Sequence, residues 1–127
     1  MKKPIFTSKA PAAIGPYSQA VQWGDVVFIS GQIPWNPENG QLNNATFEDE
    51  TNQVLDNLEA ICQEAGGTLD HILKLTIYLT DLSKFDVVNS IMASRFSEPF
   101  PARATLEISK LPKEVSIEMD AILSITI

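Results

Sequence analysis

Residues 101–121 read PARATLEISKLPKEVSIEMDA. Two alternating runs flank a short polar segment. In the first, Arg103, Thr105 and Glu107 fall on one side and Ala104, Leu106 and Ile108 on the other. In the second, Ser116, Glu118 and Asp120 oppose Val115, Ile117 and Met119. Successive side chains of a strand point to opposite faces, so each run is a strand with a polar and an apolar side. With a turn over Lys110–Lys113 the two form a hairpin, and Thr105 stands opposite Glu118. Such a hairpin makes the chain a sheet protein and gathers an arginine, a hydroxyl and carboxylates on one face.

Working outward, Glu98-Pro99-Phe100-Pro101 ends a helix that starts near Asp81 or Ser83 and runs through Phe96. Its inward residues are Val87, Val88, Ile91 and Met92. Before it, HILKLTIYLTD alternates around Leu73, Leu75, Ile77 and Leu79, which predicts a strand with Lys74, Thr76 and Tyr78 on its other face. From Thr46 the period changes. Phe47, Thr51, Val54, Leu55, Leu58, Ile61, Cys62 and Ala65 recur at three- and four-residue steps, with Glu48, Asp49 and Glu50 in the first turn and Gly66-Gly67 at the end. This is an amphipathic helix whose dipole suits its acids and whose end suits glycine. YSQAVQWGDVVFISG is a hairpin about Gly24-Asp25, and QIPWNPENGQ is a loop or irregular edge. A short strand and a turn at Gly15-Pro16 open the chain, and AILSITI carries the last strand to its end. The order βββαβαββ predicts one α+β domain over residues 1–127, a six-stranded sheet with two helices on one face. The other face is expected to carry Arg103, Thr105 and Glu118, a mixture that suits a subunit interface.

The chain has 127 residues, 44% hydrophobic and 20% charged, ordinary values for a globular protein of one domain. A net charge of −7 repels phosphate backbones and anionic membranes, and the nine Lys and Arg form no run beyond Lys2-Lys3. No apolar run approaches the ~20 residues of a membrane span. The start MKKPIFTSKAPAAIG is broken by Pro4 and polar residues and does not read as a signal peptide. A single cysteine, Cys62, leaves no intramolecular disulfide, so a reduced, cytoplasmic setting is the expectation.

The usual catalytic candidates are poor. His71 is the only histidine and reads as a solvated residue between helix and strand. With one His and one Cys there is no zinc-ligand spacing, and no glycine-rich phosphate loop occurs. Cys62 lies on the apolar stripe and belongs to the core. The hairpin face remains. Arg103 and Thr105 lie about 7 Å apart along one strand. An arginine fork holds a carboxylate through two parallel hydrogen bonds, and Glu118 with Thr105 is suited to hold a water. Proximity to Arg103 is expected to lower the pKa of Glu118. The plain alternative is a solvated ion pair worth about 0–1 kcal/mol. Glu107 and Asp120 read as structural or solvated, and Tyr17, Ser30 and Gly31 as ordinary turn and edge residues.

The segments APAAIGPYSQAV, ISGQIPWNPENG, NLEAICQEAGG and FPARATLEISKLPKEVSIEMDAI resemble the reactive intermediate deaminase family, the RidA or YjgF proteins, in order and over nearly the whole chain. The resemblance implies a chorismate-mutase-like fold and a homotrimer whose sheets line a central barrel, with sites between subunits. It implies hydrolysis of enamine and imine intermediates such as 2-aminoacrylate, released by pyridoxal-phosphate enzymes, to 2-keto acids and ammonia, a 2-iminobutanoate/2-iminopropanoate deaminase. It implies no metal and no organic cofactor. Carried over by position, Arg103 grips the substrate carboxylate and Glu118 positions the hydrolytic water. Tyr17, Ser30 and Gly31 match cleft residues, and Asn89 an asparagine near the pocket. Thr105 stands where many members have cysteine; its hydroxyl still hydrogen-bonds water or substrate but is no thiolate. Trp35 falls beside the pocket entrance. A keto-acid-binding module without turnover is the alternative class. Ribonuclease or translation-inhibitor roles described for some relatives fit the acidic charge least.

Overall fold

The structure is a computed structural model that describes residues 1–126. Among them are eight strands, β1 (Lys3–Ile5), β2 (Ala20–Trp23), β3 (Val26–Gln32), β4 (Trp35–Asn36), β5 (Gln41–Leu42), β6 (Ile72–Leu79), β7 (Ala102–Glu107) and β8 (Ile117–Ser124), and two α-helices, α1 (Phe47–Ala65) and α2 (Phe85–Arg95). Six strands form one mixed sheet in the order β1-β2-β3-β8-β6-β7. The expected α+β architecture, two helices on one face of a six-stranded sheet, is what forms. The small antiparallel ribbon β4–β5 occupies the stretch that reads as a loop.

Local chemistry sets these elements. Gly24, at φ +60°, turns β2 into β3. Thr46 caps α1, its hydroxyl accepting from the Asp49 amide at 3.0 Å. Gly66, at φ +101°, ends that helix where a side chain would be strained. The α1 stripe of Val54, Leu55, Leu58, Ile61 and Cys62 is wholly buried against the sheet. Burial pushes the Cys62 thiol up to about 12, which keeps it an inert core residue. Asp81 caps a short 3-10 turn, Leu82–Lys84, that leads into α2; α2 itself lacks a side-chain cap. His71 is more than a solvated residue. Its Nδ1 accepts from the Thr68 amide at 2.9 Å and closes the turn that starts β6. A register shift between Ile72 and Lys74 puts Ile72 in the core and leaves Leu73 exposed, reversing the expected place of Leu73.

The larger correction concerns residues 101–121. β7 and β8 are not a hairpin: β6 lies between them, parallel to β7 and antiparallel to β8. The row across the sheet is Thr105–Ile77–Met119, and the next is Leu106–Tyr78–Glu118. Ile77 and Met119 are fully buried beneath the helices, so Thr105 faces the helix side. Arg103 shares a row with buried Leu75 and Ala121 and faces the same way. Glu118 and Asp120 point to the opposite, open face. Alternation sorts residues within a strand, but only pairing relates one strand to another. Here the crossover through α2 sets β7 parallel beside β6, as a β-α-β unit requires. The expected single face carrying Arg103, Thr105 and Glu118 is therefore split between the two sides of the sheet.

Candidate functional site

Two recesses hold the candidate residues. The first lies at the free edge of the sheet, between β7 and α2. Arg103 dominates it, with Asn89, Met92, Ala93, Phe100 and Pro101 around it, enclosing about 360 Å³. The guanidinium donates to Asn89 Oδ1 at 2.6 Å, sits 4.7 Å above the Phe85 ring and touches Met92 sulfur at 3.6 Å. Asn89 and Phe85 are four residues apart on α2, so one helix face supplies both the stacking ring and the hydrogen-bond partner. One edge of a planar fork is thus fixed, and the rest is presented outward for a carboxylate. Thr105 is two residues further along β7. Its Oγ1 is buried and has no hydrogen-bond partner.

The second recess, of about 430 Å³, opens near the other end of the β3–β8 pair. Glu118, Gly31, Gln32, Tyr17, Trp35 and Ile14 are among its walls. Gly31 makes room for the acid: a Cβ there would lie 2.9 Å from Glu118 Cδ and 3.0 Å from Oε1. Burial raises the Glu118 carboxyl above its usual range, and the neighbouring Asp120 charge adds to this. The expected lowering by Arg103 does not occur, because Arg103 is on the far side of the sheet. Asp120 accepts from the Tyr78 hydroxyl at 2.8 Å, and that bond raises the phenol.

Polar framework residues shape this recess. Gln19 is buried and uses both ends of its amide, accepting from the Thr7 amide and donating to the Thr7, Ala10 and Pro11 carbonyls. It thereby holds the Pro11 wall. Asn57, fully buried in α1, donates to the Ile33 and Trp35 carbonyls at 3.0 and 2.9 Å and holds the opposite wall. Lys113 lines this recess, and with Glu114 it lies in the left-handed region, φ 57° and 59°. That conformation costs about 1–2 kcal/mol per non-glycine residue. Buried Glu50 anchors the segment by accepting from the Ser116 amide at 2.8 Å.

The structure thus brings Arg103 and Asn89 together, and separately Tyr17, Gly31 and Glu118. Trp35 lines the second recess, with the Lys113 ammonium 5.2 Å over its ring. Ser30 belongs to neither; its hydroxyl donates to the Ser18 carbonyl at 2.7 Å. Glu107 is structural, accepting from the Leu82 amide at 2.8 Å. Phe85, Gln19, Gln32 and Asn57 were not legible as site residues. For Asn57 a signal existed, a polar residue inside the apolar stripe of α1. Among the described residues no three His, Cys, Asp or Glu side chains converge as a metal-ligand set. No helix among them is long and apolar enough to cross a membrane.

The six-stranded α+β fold is shared with known proteins. The family model described as endoribonuclease L-PSP matches residues 7–125. A RutC family protein of Pyrococcus abyssi is 46% identical over 121 residues, covering 95% of both chains. The 2-iminobutanoate/2-iminopropanoate deaminase of Escherichia coli (strain K12) is 44% identical over 125 residues, covering 96% of this chain and 97% of that one. The crystal structure of RidA from the Antarctic bacterium Psychrobacter sp. PAMC 21119 superposes with a TM-score of 0.92 at 45% identity, covering 96% and 98%. That of E. coli TdcF with bound serine gives 0.88 at 37% identity, with the same coverage. The chain belongs to the RidA/YjgF family.

Proposed function

We propose that this protein hydrolyses small 2-imino acids, and the enamines that tautomerise to them, to 2-keto acids and ammonia, at a site completed by two copies of the chain. The observation that carries the reading is the pairing of an Arg103 fork, anchored yet open at the sheet edge, with a Glu118 carboxyl raised by burial on the opposite face. One chain cannot bring both to one ligand. β7 is a free edge strand, and a neighbouring copy that seats this edge over the Glu118 recess of the next closes a pocket with both groups. The deaminase named among the relatives, and the serine bound by a structural neighbour, support a small α-substituted acid as ligand. The trimer implied by the family resemblance supplies such a neighbour.

In this mechanism Arg103 binds the carboxylate through its outward N–H groups. Water adds to the imine carbon, and Glu118 takes its proton and passes it to the nitrogen. Glu118 then takes the hydroxyl proton of the resulting carbinolamine and delivers it to the amino nitrogen, so that the C–N bond breaks, the C=O bond forms, ammonia leaves and Glu118 returns to its carboxylate form. A raised carboxyl pKa suits this shuttle, because it brings acid and base forms closer to neutral pH. Tyr17 walls the pocket, and Thr105 lies two residues beyond Arg103 on β7. Positioning, without a thiolate, suffices for an already electrophilic carbon. The net charge of −7 argues against RNA as substrate.

The test generates imino acids with an amino-acid oxidase and follows their trapping by semicarbazide. Wild-type protein should suppress semicarbazone absorbance, and Arg103→Ala and Glu118→Ala should not. Unchanged traces with saturable keto-acid binding would identify a binding module instead.

A further inference from the structure

The recess that holds Glu118 has more room than the reaction at one carbon needs. It encloses about 430 Å³, against the roughly 30 Å³ that one water takes up in the liquid. A 2-imino acid with a methyl side chain would leave most of that space to solvent. Much of the wall is apolar, with Ile33, Trp35, Pro112, Pro11 and Ile14. Ile14 is 86% exposed, an apolar side chain held in water at the recess. The other charge in the wall is Lys113, and its ammonium lies over the Trp35 ring at 5.2 Å. Trp35 itself is half-buried and firmly set. Its amide donates to the Ile33 carbonyl at 2.7 Å, its carbonyl accepts from buried Asn57 at 2.9 Å, and β4 pairs it with Leu42. A fixed indole thus shares one recess with the Glu118 carboxyl.

We propose that Trp35 reads the substrate's side chain, and that this recess selects 2-imino acids whose side chain is bulky and apolar, branched or aromatic. The assignment rests on the deaminase reading for the other end of the ligand, where Arg103 of the neighbouring copy holds the carboxylate and Glu118 the water. A branched or aromatic side chain laid against Trp35, Ile33 and Pro112 expels water from an apolar wall, a gain that a methyl group is too small to make. A side chain ending in a second carboxylate is disfavoured, because Glu118 repels it and the Lys113 charge is turned to the indole.

Imines generated by amino-acid oxidases from alanine, leucine, phenylalanine and glutamate are compared in the semicarbazide assay with wild type, Trp35→Ala and Trp35→Val, thermal melts run in parallel. The expected wild-type kcat/KM is at least about tenfold higher for the leucine- or phenylalanine-derived imine than for the alanine-derived one, and each Trp35 variant should shrink that ratio by about tenfold. Calorimetric titration with phenylpyruvate and pyruvate reads the same preference without turnover: phenylpyruvate should bind about tenfold tighter and lose that margin in the variants. Equal use of all imines, preference for the glutamate-derived imine, or an unchanged ratio in folded variants each overturns the assignment and leaves the deaminase reading intact. Should neither variant fold, the wild-type rankings decide by the same criteria. If no imine is hydrolysed, a phenylpyruvate preference that depends on Trp35 would sink the deaminase reading and leave the Trp35 wall standing; without that preference both fall.

Discussion

Replacing Gly31 by alanine isolates the placement of the Glu118 carboxylate from the stability of the fold. The new Cβ would lie 2.9 Å from Glu118 Cδ, 3.0 Å from Oε1 and 3.2 Å from Oε2. Comfortable carbon contacts begin at about 3.5 Å, so the carboxylate must retreat by roughly 0.5–1 Å. It is the far end of a flexible side chain on the open face, so it moves and the backbone does not. A misplacement of that size costs up to about 10²-fold in rate, or about 2.7 kcal/mol of transition-state stabilisation. The strand gains about 0.5–1 kcal/mol from the lost glycine entropy, so the melting temperature should hold or rise slightly. The assay is kcat/KM for imine hydrolysis in the semicarbazide format, with a thermal melt beside it. In a Glu118→Ala background Gly31→Ala should cost almost nothing further, because the group it displaces is gone. Wild-type kcat/KM in Gly31→Ala, or the same fall in both backgrounds, would refute the reasoning.

Arg103→Lys keeps the charge but loses the planar fork and the stacking on Phe85; kcat/KM should fall by at least about tenfold, and Arg103→Ala by about 10²–10⁴-fold, measured on the same imines. Asp120→Asn removes a negative charge that helps to raise the Glu118 carboxyl, so the acid limb of the pH–rate profile should move to lower pH, burial alone keeping it above the ordinary value. Asn57→Leu leaves the Ile33 and Trp35 carbonyls without their donor and should cost about 1–3 kcal/mol in urea unfolding, together with a weaker Kd for 2-aminobutanoate as the recess wall loosens.

The elements governed by local chemistry were legible in the sequence. The helix start at Thr46, the apolar stripe of α1, the Gly66 stop and the Gly24 turn each sit where residue chemistry places them. Alternation along β8 was legible as well, with Ile117, Met119, Ala121 and Leu123 buried and Glu118 and Asp120 half-exposed. What failed was the relation between distant strands. Nothing in residues 101–121 reports that β6, from residues 72–79, inserts between the two strands of the supposed hairpin. The left-handed pair Lys113-Glu114 and the 3-10 turn Pro112–Glu114 belong to a connection across β6, where the sequence suggested a tight turn. That one topological fact moves Arg103 to the face opposite Glu118 and reverses the expected direction of the Glu118 pKa. The family resemblance named both residues, and the geometry then turns a one-face site into two half-sites.

Complementation between two inactive variants tests the shared site most directly. Arg103→Ala and Glu118→Ala chains, carrying different tags, are co-expressed, and mixed oligomers are isolated through both tags. In a mixed trimer a site built from Arg103 of one copy and Glu118 of the next would be intact at about one interface in three. The account predicts that mixed trimers recover roughly a third of wild-type imine hydrolysis per chain while each variant alone stays inactive. Mixed oligomers as inactive as either parent would contradict it.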